Sequence, residues 1–559
     1  MCAWFFILRS LDPTMLPLAT LIIAMLLTVM LIPVVSALAV RFQAVDIPNE
    51  RKVHLRPIPR IGGVAMALGA FVPIVVWNFA DGFVRAYLVG ASILVVTGLV
   101  DDLRELSPRV KFGGQFAAAA VALFLGGVKI TSLGTLLPEG VTLPDPVAVP
   151  LTLIAIVGVT NAVNMADGLD GLAGGICLLI FCAIGYLAFL DGNAPIGLVA
   201  LALAGVIFGF LRFNTHPASI FMGDAGSQFL GFSAVTLALG LTQGSDALSP
   251  LLPLLLLGLP VLDTLTVMAI RASQGRSLFS ADKNHIHHSL MQIGLRHPES
   301  VLVIYVVQAL LVLAAVQLRF KSDWIILLGY AGFSLMVAGF FAFSRRHEWT
   351  ISRHNILDVV IWGGLNRVKV EGTVICLAFR SFEWGVPLLL LISCLRPMLV
   401  PGYVTIAAPF LLLLLALVRS VRPQWSGGVI RGVIYLLVPF VIYYGDTGAG
   451  SILGVVGERI YEGAFVVVAL LMVVISKFSR RSEGFRSTPL DLLVIMLAVA
   501  VSGLPMQQLL HYRLGLMAAK IIILYFGFEV LMAELRGKYD RLSIWTAAAL
   551  VALVTINWR

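Results

Sequence analysis

MLPLATLIIAMLLTVMLIPVVSALAV, residues 15–40, contains no charged side chain. A run of this length can cross the roughly 30 Å hydrocarbon core of a bilayer as one α-helix. Similar runs recur along the 559-residue chain, which is 59% hydrophobic and only 12% charged. In lipid, backbone polar groups are satisfied only within helices or closed barrels, and these runs have the length of helical spans. The sequence therefore predicts an all-α, polytopic membrane protein.

The apolar runs form two blocks, separated by a polar, basic stretch. The first block contains about eleven candidate spans, at 15–40, 61–80, 85–100, 114–128, 147–160, 172–190, 195–211, 227–241, 251–269, 300–318 and 324–343. The second contains about seven, at 384–400, 403–418, 429–445, 452–475, 489–503, 514–533 and 542–558. The predicted organisation is a first membrane domain at 1–345, a cytoplasmic basic linker at 346–383 and a C-terminal multi-span region at 384–559.

The distribution of basic residues predicts the orientation of the spans. With the 41–60 loop in the cytoplasm, alternation of the spans places most of the 39 Lys and Arg residues in cytoplasmic loops. The opposite orientation inverts that bias, so the positive-inside rule favours the first. The net charge of +9 follows from this topology and gives no reason to expect nucleic-acid binding.

Five polar loops of the first block carry its unusual chemistry, and alternation of the spans places all five on the cytoplasmic side. A single site requires such a shared face. The loops are 45–63 (VDIPNERKVHLRPIPRIGG), 101–115 (DDLRELSPRVKFGGQ), 161–175 (NAVNMADGLDGLAGG), 212–227 (RFNTHPASIFMGDAGS) and 275–290 (GRSLFSADKNHIHHSL).

Two adjacent carboxylates, Asp101 and Asp102, directly follow an apolar run, at the point where a helix leaves the membrane. Such carboxylates repel each other unless a cation or a shared proton compensates them. An oxygen-rich ligand set suits Mg²⁺ or Mn²⁺, and the lack of a cysteine and histidine quartet in the sequence argues against structural zinc. The alternative is that both residues merely end the helix in water.

The third loop has an amide or a carboxylate at every third position: Asn161, Asn164, Asp167 and Asp170. Adjacent members share a helical face, and the glycines beside them let backbone approach a ligand closely. Such a loop can hold a metal-bound diphosphate or contact a base and sugar. A helix end packed through its glycines is the alternative. Asp224, between glycines just ahead of a span, is likewise a functional candidate or a simple helix cap.

Three histidines, His285, His287 and His288, share the fifth loop with several basic residues. Zinc binding is one interpretation, but no cysteine or further histidine cluster completes the ligand set. Imidazole and guanidinium donors around an anion fit better, and a solvated loop is the alternative. A cation-binding acidic pocket beside anion-binding groups, on one membrane face, suggests phosphoryl transfer onto a lipid.

Four motifs, LVDDLRE, NAVNMADGLDGLAGG, FMGDAGS and NHIHH, resemble in order and separation those of the polyprenyl-phosphate N-acetylhexosamine-1-phosphate transferases. This family includes the bacterial enzymes that start O-antigen and teichoic-acid lipids, and the phospho-MurNAc-pentapeptide transferases of peptidoglycan synthesis. The resemblance covers about residues 15–345. It implies eleven spans in the bacterial inner membrane with catalytic loops in the cytoplasm. It also implies transfer of a sugar 1-phosphate from a UDP-N-acetylhexosamine to undecaprenyl phosphate, with release of UMP.

The resemblance further implies Mg²⁺ and roles for individual residues. Asp224 is the expected metal ligand, and Asp101 and Asp102 are expected to activate the lipid phosphate or to hold the metal. The expected substrate-binding residues are Asn164, Asp167 and Asp170 for the nucleotide and diphosphate, His285, His287 and His288 for the phosphates or sugar, and Lys52 and Arg60 for the nucleotide or lipid phosphate. The sequence leaves open a single displacement or a covalent aspartyl intermediate.

The histidine loop bears on the choice of sugar. Its HxHH pattern resembles that of family members using UDP-GlcNAc, whereas the peptidoglycan branch carries three consecutive histidines. Leu278, Ala281, Lys283 and Glu105 depart from residues common at these positions. UDP-FucNAc, UDP-QuiNAc and UDP-MurNAc-pentapeptide therefore remain alternative donors.

The C-terminal region has no acidic or histidine cluster of comparable density, and Asp446, Glu458, Arg459, Glu462 and His511 are scattered singly. Its role is open among carrying the lipid product, docking later glycan-assembly proteins and stabilising the assembly, and a homodimer is equally open. The rival to an enzyme is a transporter or flippase. Transporters place ionisable groups near the bilayer midplane, often in paired repeats. Here the groups gather where spans meet the cytoplasm, which favours the enzyme.

Overall fold

The computed structural model describes residues 16–46, 57–138, 140–245, 247–277, 285–350, 373–396, 402, 404–447, 454–478, 514–535 and 539–556. The chain divides into two compact units, Met1–Ser352 and Arg353–Arg559. Among the described residues, ten helices are long and apolar enough to cross a membrane. The predicted all-α, polytopic membrane fold is therefore confirmed.

Helices coincide with every span predicted in the first unit. Their bounds are α1 Leu16–Arg41, α2 Gly62–Asn78, α3 Gly82–Arg104, α4 Pro108–Phe124, α5 Asp145–Ala166, α6 Leu172–Leu190, α7 Ala194–Asn214, α8 Gly223–Gln243, α9 Leu252–Leu256, α10 Gly258–Ser273, α11 Ile286–Gln292, α12 His297–Leu318 and α13 Asp323–Arg346. The predicted span at 251–269 is interrupted at Leu257, which separates α9 from α10. The short helix α11 lies in the histidine loop.

Helix α8 is the most deeply buried of the long apolar helices. It packs against α2, α3, α5 and α6. Small residues allow the close approach, because Gly63 of α2 and Gly98 of α3 lie directly against the α8 backbone at Gly226 and Ala225. Since α8 begins at Gly223, this packing holds the first turn of the helix, with Asp224, at one end of the bundle.

A short antiparallel ribbon precedes α2. Strand β1 (Val45–Asp46) pairs with β2 (Ile58–Pro59), and residues 47–56 between them lie outside the described part of the chain. The segment ahead of α8 joins this ribbon, because Phe221 N–H donates a hydrogen bond to Pro59 O at 2.8 Å. The ribbon therefore ties the start of α2 to the start of α8.

The second unit is also helical. Its elements are α14 Thr373–Cys394, α15 Val404–Val421, α16 Ser426–Thr447, α17 Gly454–Phe478, α18 Leu514–Leu535 and α19 Asp540–Ile556. Six of the predicted spans coincide with these helices, and the predicted span at 489–503 lies outside the described residues. Helix α14 begins at Thr373, so the C-terminal part of the predicted 346–383 linker is helical.

The contact between α2 and α8 predicts that Gly63→Ala destabilises the protein. A methyl group at Gly63 would overlap the backbone of Gly226 and Ala225, and neither helix can move away without disturbing its other neighbours. We expect a loss of about 1–3 kcal/mol in the free energy of unfolding, seen as a lower Tm in detergent. Gly113→Ala in α4 is the matched control, because open space surrounds Gly113. An unchanged Tm in Gly63→Ala would contradict the contact.

Candidate active site

The polar loops of the first unit meet at one end of the helix bundle. Direct contacts join the described parts of all five loops that were predicted to share a face. The C-terminal ends of α3, α5 and α7 and the N-terminal ends of α4, α6 and α8 supply most of these contacts. The shared end therefore has the composition of a single site, with carboxylates, amides and histidines from separate loops.

Asp102 caps the first turn of α8 with its carboxylate. Its Oδ1 accepts a hydrogen bond from Asp224 N–H at 2.9 Å, and its Oδ2 accepts one from Ala225 N–H at 3.1 Å. These N–H groups have no partner within the helix, and the positive end of the helix dipole favours a carboxylate there. Gly223 precedes them with a φ of 68°, and a side chain at Gly223 would overlap the Asp102 carboxylate. Asp102 therefore fixes the start of α8.

Lys111, in the first turn of α4, lies between two carboxylates. Its Nζ is 2.5 Å from Asp101 Oδ2 and 3.1 Å from Asp224 Oδ2. Asp101 is buried, and its Oδ1 accepts a hydrogen bond from Leu106 N–H at 2.6 Å. One ammonium group thus offsets the repulsion between Asp101 and Asp224.

The polar residues spaced by three along α5 have different partners. Asn164 Oδ1 accepts a hydrogen bond from Ser227 Oγ at 2.6 Å, which fixes Asn164 against α8. Asn161, almost one turn earlier, instead joins an amide network with Gln115 and Gln228. Asn161 therefore belongs to the helix packing, whereas Asn164 lies at the site.

Asp167 immediately follows α5 and has a half-buried side chain. Its carboxylate has no hydrogen-bond or ion-pair partner among the described residues. Burial, and then the negative charges of Asp224, Asp170 and Asp102, raise the pKa of Asp167 to about 7. A carboxylate that repels its neighbours and has no counter-ion among them suits a site for a divalent cation.

The aspartates differ in what they can offer a metal ion. Asp101 uses its oxygens in the bonds to Lys111 and the backbone, and Asp102 uses both of its oxygens at the start of α8. Asp224 contacts Lys111 through Oδ2, and its carboxyl group also lies against that of Asp101. Among these four aspartates, Asp224 and Asp167 are therefore the better candidates to hold a metal ion, and Asp101 and Asp102 support the site through hydrogen bonds. Asp170, His216 and His297 form a second group whose ligand atoms lie within 4.8 Å of one another and could hold a metal ion.

Asp170 forms a separate cluster with two histidines. Its Oδ2 accepts hydrogen bonds from His216 Nδ1 at 2.7 Å and from Ala218 N–H at 3.1 Å. Its own N–H donates to His297 Nε2 at 3.2 Å, and the rings of His216 and His297 stack with centroids 4.4 Å apart. Burial alone would raise the pKa of Asp170, but the bonds from His216 and Ala218 outweigh it and hold the pKa below its usual range. Asp170 is therefore a fixed, ionised acceptor.

The histidine loop folds onto the glycine-rich loop. His285 Nδ1 lies 2.8 Å from Asp263 Oδ2, and the first N–H of α11 donates to Asp263 Oδ1 at 2.7 Å. Asp263 therefore orients His285 and caps α11. His287 is buried against Gly168, where any side chain would overlap its imidazole. His288 packs on His287 with ring centroids 4.3 Å apart.

The buried histidine of this loop is neutral. Burial, and then the neighbouring charge of His288, lowers the pKa of His287 to about 4. His287 therefore offers an approaching anion a hydrogen bond and not a positive charge. Residues 278–284, which include Lys283, lie outside the described part of the chain.

Two basic residues were predicted beside the site. Lys52 lies outside the described residues. Arg60 follows β2, and its guanidinium is 3.7 Å from the Asp46 carboxylate. The backbone oxygen of Arg60 lies against Gly223, so Arg60 is next to the start of α8.

Four residues at the site were not predicted from the sequence: Lys111, His216, His297 and Asp263. A single lysine or histidine in a loop that flanks a span has no distinguishing sequence signal. Asp263 did have one, because it is a carboxylate within the predicted span 251–269, and carboxylates at such positions are usually functional.

Proteins with similar sequences identify the family. The probable undecaprenyl-phosphate N-acetylglucosaminyl 1-phosphate transferase of Bacillus subtilis (strain 168) is 38% identical over 319 residues, which are 56% of this chain and 88% of that protein. The chain belongs to the polyprenyl-phosphate N-acetylhexosamine-1-phosphate transferase family. The sequence model of glycosyl transferase family 4 matches residues 84–242, from α3 to α8. The family resemblance of the four motifs is thereby confirmed.

Two further relatives of this transferase carry similar names. The decaprenyl-phosphate N-acetylglucosaminephosphotransferase of Mycolicibacterium smegmatis is 38% identical over 306 residues, 48% of this chain and 74% of that protein. The undecaprenyl-phosphate alpha-N-acetylglucosaminyl 1-phosphate transferase of Yersinia pestis is 30% identical over 328 residues, 57% of this chain and 89% of that protein. At the level of the family, the relatives support polyprenyl-phosphate N-acetylglucosamine-1-phosphate transfer.

The burial of neutral His287 predicts that the transferase loses stability in acid. A histidine in an unfolded chain titrates near pH 6.5, whereas His287 in the fold titrates at about 4. Its contribution to stability is fully present above pH 6.5 and is lost as the pH falls towards 4, by up to ~1.4 kcal/mol per pH unit. We expect the Tm to fall over this window, and to fall less in His287→Gln. His347→Gln is the control, because His347 is exposed and lies outside the site. Equal profiles for wild type and His287→Gln would contradict the assignment.

Proposed function

We propose that this chain transfers GlcNAc-1-phosphate from UDP-GlcNAc to undecaprenyl phosphate. The products would be UMP and undecaprenyl diphosphate GlcNAc, the first lipid intermediate of a cell-surface polysaccharide. The observation that carries the proposal is the acidic group at the ends of α3 and α8, where Lys111 lies between Asp101 and Asp224 and Asp102 accepts hydrogen bonds from the first turn of α8. The names of the relatives support the sugar and the acceptor.

The reaction brings two anions together. A phosphate oxygen of the acceptor forms a bond to the phosphorus that carries the sugar, and the bond from that phosphorus to UMP breaks. Bound Mg²⁺ or Mn²⁺ would neutralise charge on the diphosphate. Asp224 and Asp167 would hold such an ion, because Asp167 lacks a counter-ion among the described residues and the Asp224 charge acts on it.

The other charged groups position this pair. Asp102 holds the first turn of α8, so that the Asp224 carboxylate starts from a fixed backbone. Lys111 draws Asp101 and Asp224 together and lowers the local negative charge that an incoming phosphate meets. Both residues act through Asp224 and do not require contact with the substrate.

The neighbouring loops offer hydrogen-bond groups for the donor. Asn164 accepts a bond from Ser227, so its amide N–H groups are left for a phosphate or a sugar hydroxyl. Asp170 is an ionised acceptor, which suits an N–H of the base or a ribose hydroxyl. The histidines, with neutral His287 buried among them, suit the sugar or the diphosphate through hydrogen bonds.

The site would face the cytoplasm from the inner membrane of a bacterium. The support is the distribution of Lys and Arg, which places the five polar loops on the cytoplasmic side, together with the bacterial origin of the relatives. The sugar donor would then be bound from the same compartment as the head of the lipid acceptor.

The proposal is tested with purified full-length protein in detergent, undecaprenyl phosphate, Mg²⁺ and one UDP-sugar per reaction. Release of UMP from UDP-GlcNAc is the expected result. UDP-FucNAc, UDP-QuiNAc and UDP-MurNAc-pentapeptide are the comparison donors. Release from one of these alone would overturn the sugar assignment, and no release from any donor would overturn the reaction.

We expect Asp224→Asn to lower the rate of UMP release at least about a hundredfold, because an amide replaces a carboxylate that is proposed to hold the cation. The change keeps the side-chain shape and the backbone bonds to Asp102. An unchanged Tm shows that the variant is folded. A folded variant with the wild-type rate would refute a metal role for Asp224.

We expect Lys111→Gln to lower the rate about tenfold to a hundredfold, because repulsion between Asp101 and Asp224 is then uncompensated. Lys111→Arg keeps the charge and should restore part of the rate. Lys129→Gln is the matched control. Lys129 Nζ lies 2.7 Å from Asp145 Oδ1, and this ion pair is not part of the acidic group. Equal rates for Lys111→Gln and Lys129→Gln would contradict the positioning role.

A further inference from the structure

Four charged side chains meet inside the second unit. Lys520 Nζ lies 2.9 Å and 2.7 Å from the two carboxylate oxygens of Asp446. Arg396 donates to Asp446 Oδ1 from NH1 at 2.6 Å and to Glu458 Oε1 from NH2 at 2.8 Å. The sequence pattern suggested scattered single charges, and this is wrong for Asp446 and Glu458. We call the four residues the charge quartet.

The burial of the charge quartet is uneven. The side chains of Lys520 and Asp446 are only 2% and 4% exposed, and that of Arg396 is 13% exposed. Glu458 is the outermost member at 25% exposed. Buried charges are costly unless they are paired, so a cluster of buried charges is a candidate for a functional site.

Helix ends place the quartet at one end of the second unit. Arg396 follows α14, Asp446 is in the last turn of α16, Glu458 is in the first turns of α17, and Lys520 is near the start of α18. The basic residues Arg419, Arg422, Arg431 and Arg541 lie near the opposite end of these helices. The positive-inside rule puts that opposite end in the cytoplasm. Arg396 and Lys520 therefore break the charge bias of the unit.

Aromatic rings fix the two cations in place. The Arg396 guanidinium lies 4.7 Å from the centroid of the Tyr461 ring, and Lys520 Nζ lies 5.0 Å from the same centroid. The Tyr461 hydroxyl and Ser393 Oγ are 2.8 Å apart, which orients the ring. The Tyr461 ring and the buried Asp446 carboxylate thus hold both cations, and Lys520 Nζ also lies 5.9 Å from the centroid of the Phe465 ring. Among the described ion pairs of the quartet, the bond from Arg396 to Glu458 has the most exposed partner.

We propose that the charge quartet is a binding site for a phosphate monoester group, which replaces Glu458 as the partner of Arg396. The guanidinium presents two N–H groups in a plane that matches phosphate oxygens, and Lys520 adds a second positive charge nearby. Asp446 keeps the cations paired when no ligand is bound. A lipid phosphate at the membrane boundary and free phosphate share this chemistry. The site is separate from the proposed transferase reaction.

The test uses full-length protein in detergent with short-chain phosphatidic acid, with inorganic phosphate, and with diacylglycerol as the phosphate-free control. Binding is measured by titration, and the site is defined as the part of the binding that Arg396→Gln removes. If phosphatidic acid shows this Arg396-dependent binding and inorganic phosphate does not, the ligand is a lipid phosphate. If inorganic phosphate binds equally well, the ligand is a free phosphate group. Wild-type binding in Arg396→Gln, or no binding of either ligand, overturns the proposal.

Glu458→Gln distinguishes a binding site from a purely structural network. Removing the competing carboxylate should tighten phosphate binding about tenfold, which corresponds to ~1.4 kcal/mol. A structural network predicts a lower Tm and no gain in binding, and that result overturns the proposal. Arg431→Gln is the matched control. Arg431 Nε lies 2.6 Å from Glu529 Oε1, and this ion pair is not part of the charge quartet. Arg396→Lys replaces Arg396→Gln if the latter fails to fold, and UMP release should be unchanged in each folded variant.

Discussion

The geometry of the candidate active site depends on the hydrogen bonds between Asp102 and the start of α8. A buried helix leaves its first N–H groups without partners in the helix, and lipid cannot supply them. Asp102 supplies them from α3, while Gly63 and Gly98 let the neighbouring helices reach the same turn. Neighbouring helices therefore set the position of the Asp224 backbone, so the carboxylate that is proposed to hold the cation is anchored to the bundle.

The carboxylates at this end of the bundle are not all compensated by positive charge, and the uncompensated negative charge suits phosphate chemistry. Lys111 compensates Asp101 and Asp224, and His216 with the Ala218 N–H stabilises Asp170. Asp167 has no such partner among the described residues, and burial, followed by the negative charges of its neighbours, raises its pKa. In the proposed function, a divalent cation would relieve the repulsion among these carboxylates and would attract a diphosphate to the same place. The acidic excess would then link binding of the cation to binding of an anionic donor.

The sequence alone predicts the helices and the common face of the loops, because the length of each span and the alternation of spans can be read directly along the chain. It cannot distinguish Asn161 from Asn164, which are the same residue type on the same helix. Three positions turn a side chain by about 60° around an α-helix, so Asn161 joins Gln115 and Gln228 while Asn164 reaches Ser227. Lys111 and His216 were missed for a related reason, since their partners come from other loops.

The two units hold charge at helix ends in different ways, and this explains why sequence motifs mark one of them only. In the first unit, acidic residues exceed the cations around them, so the site depends on a ligand, and its acids cluster in short glycine-rich loops. In the second, two cations and two anions balance one another, and a balanced set is stable before any ligand arrives. Such a set can be built from single residues on separate helices, such as Asp446 and Lys520. Its chemistry is therefore visible only when the helices are packed.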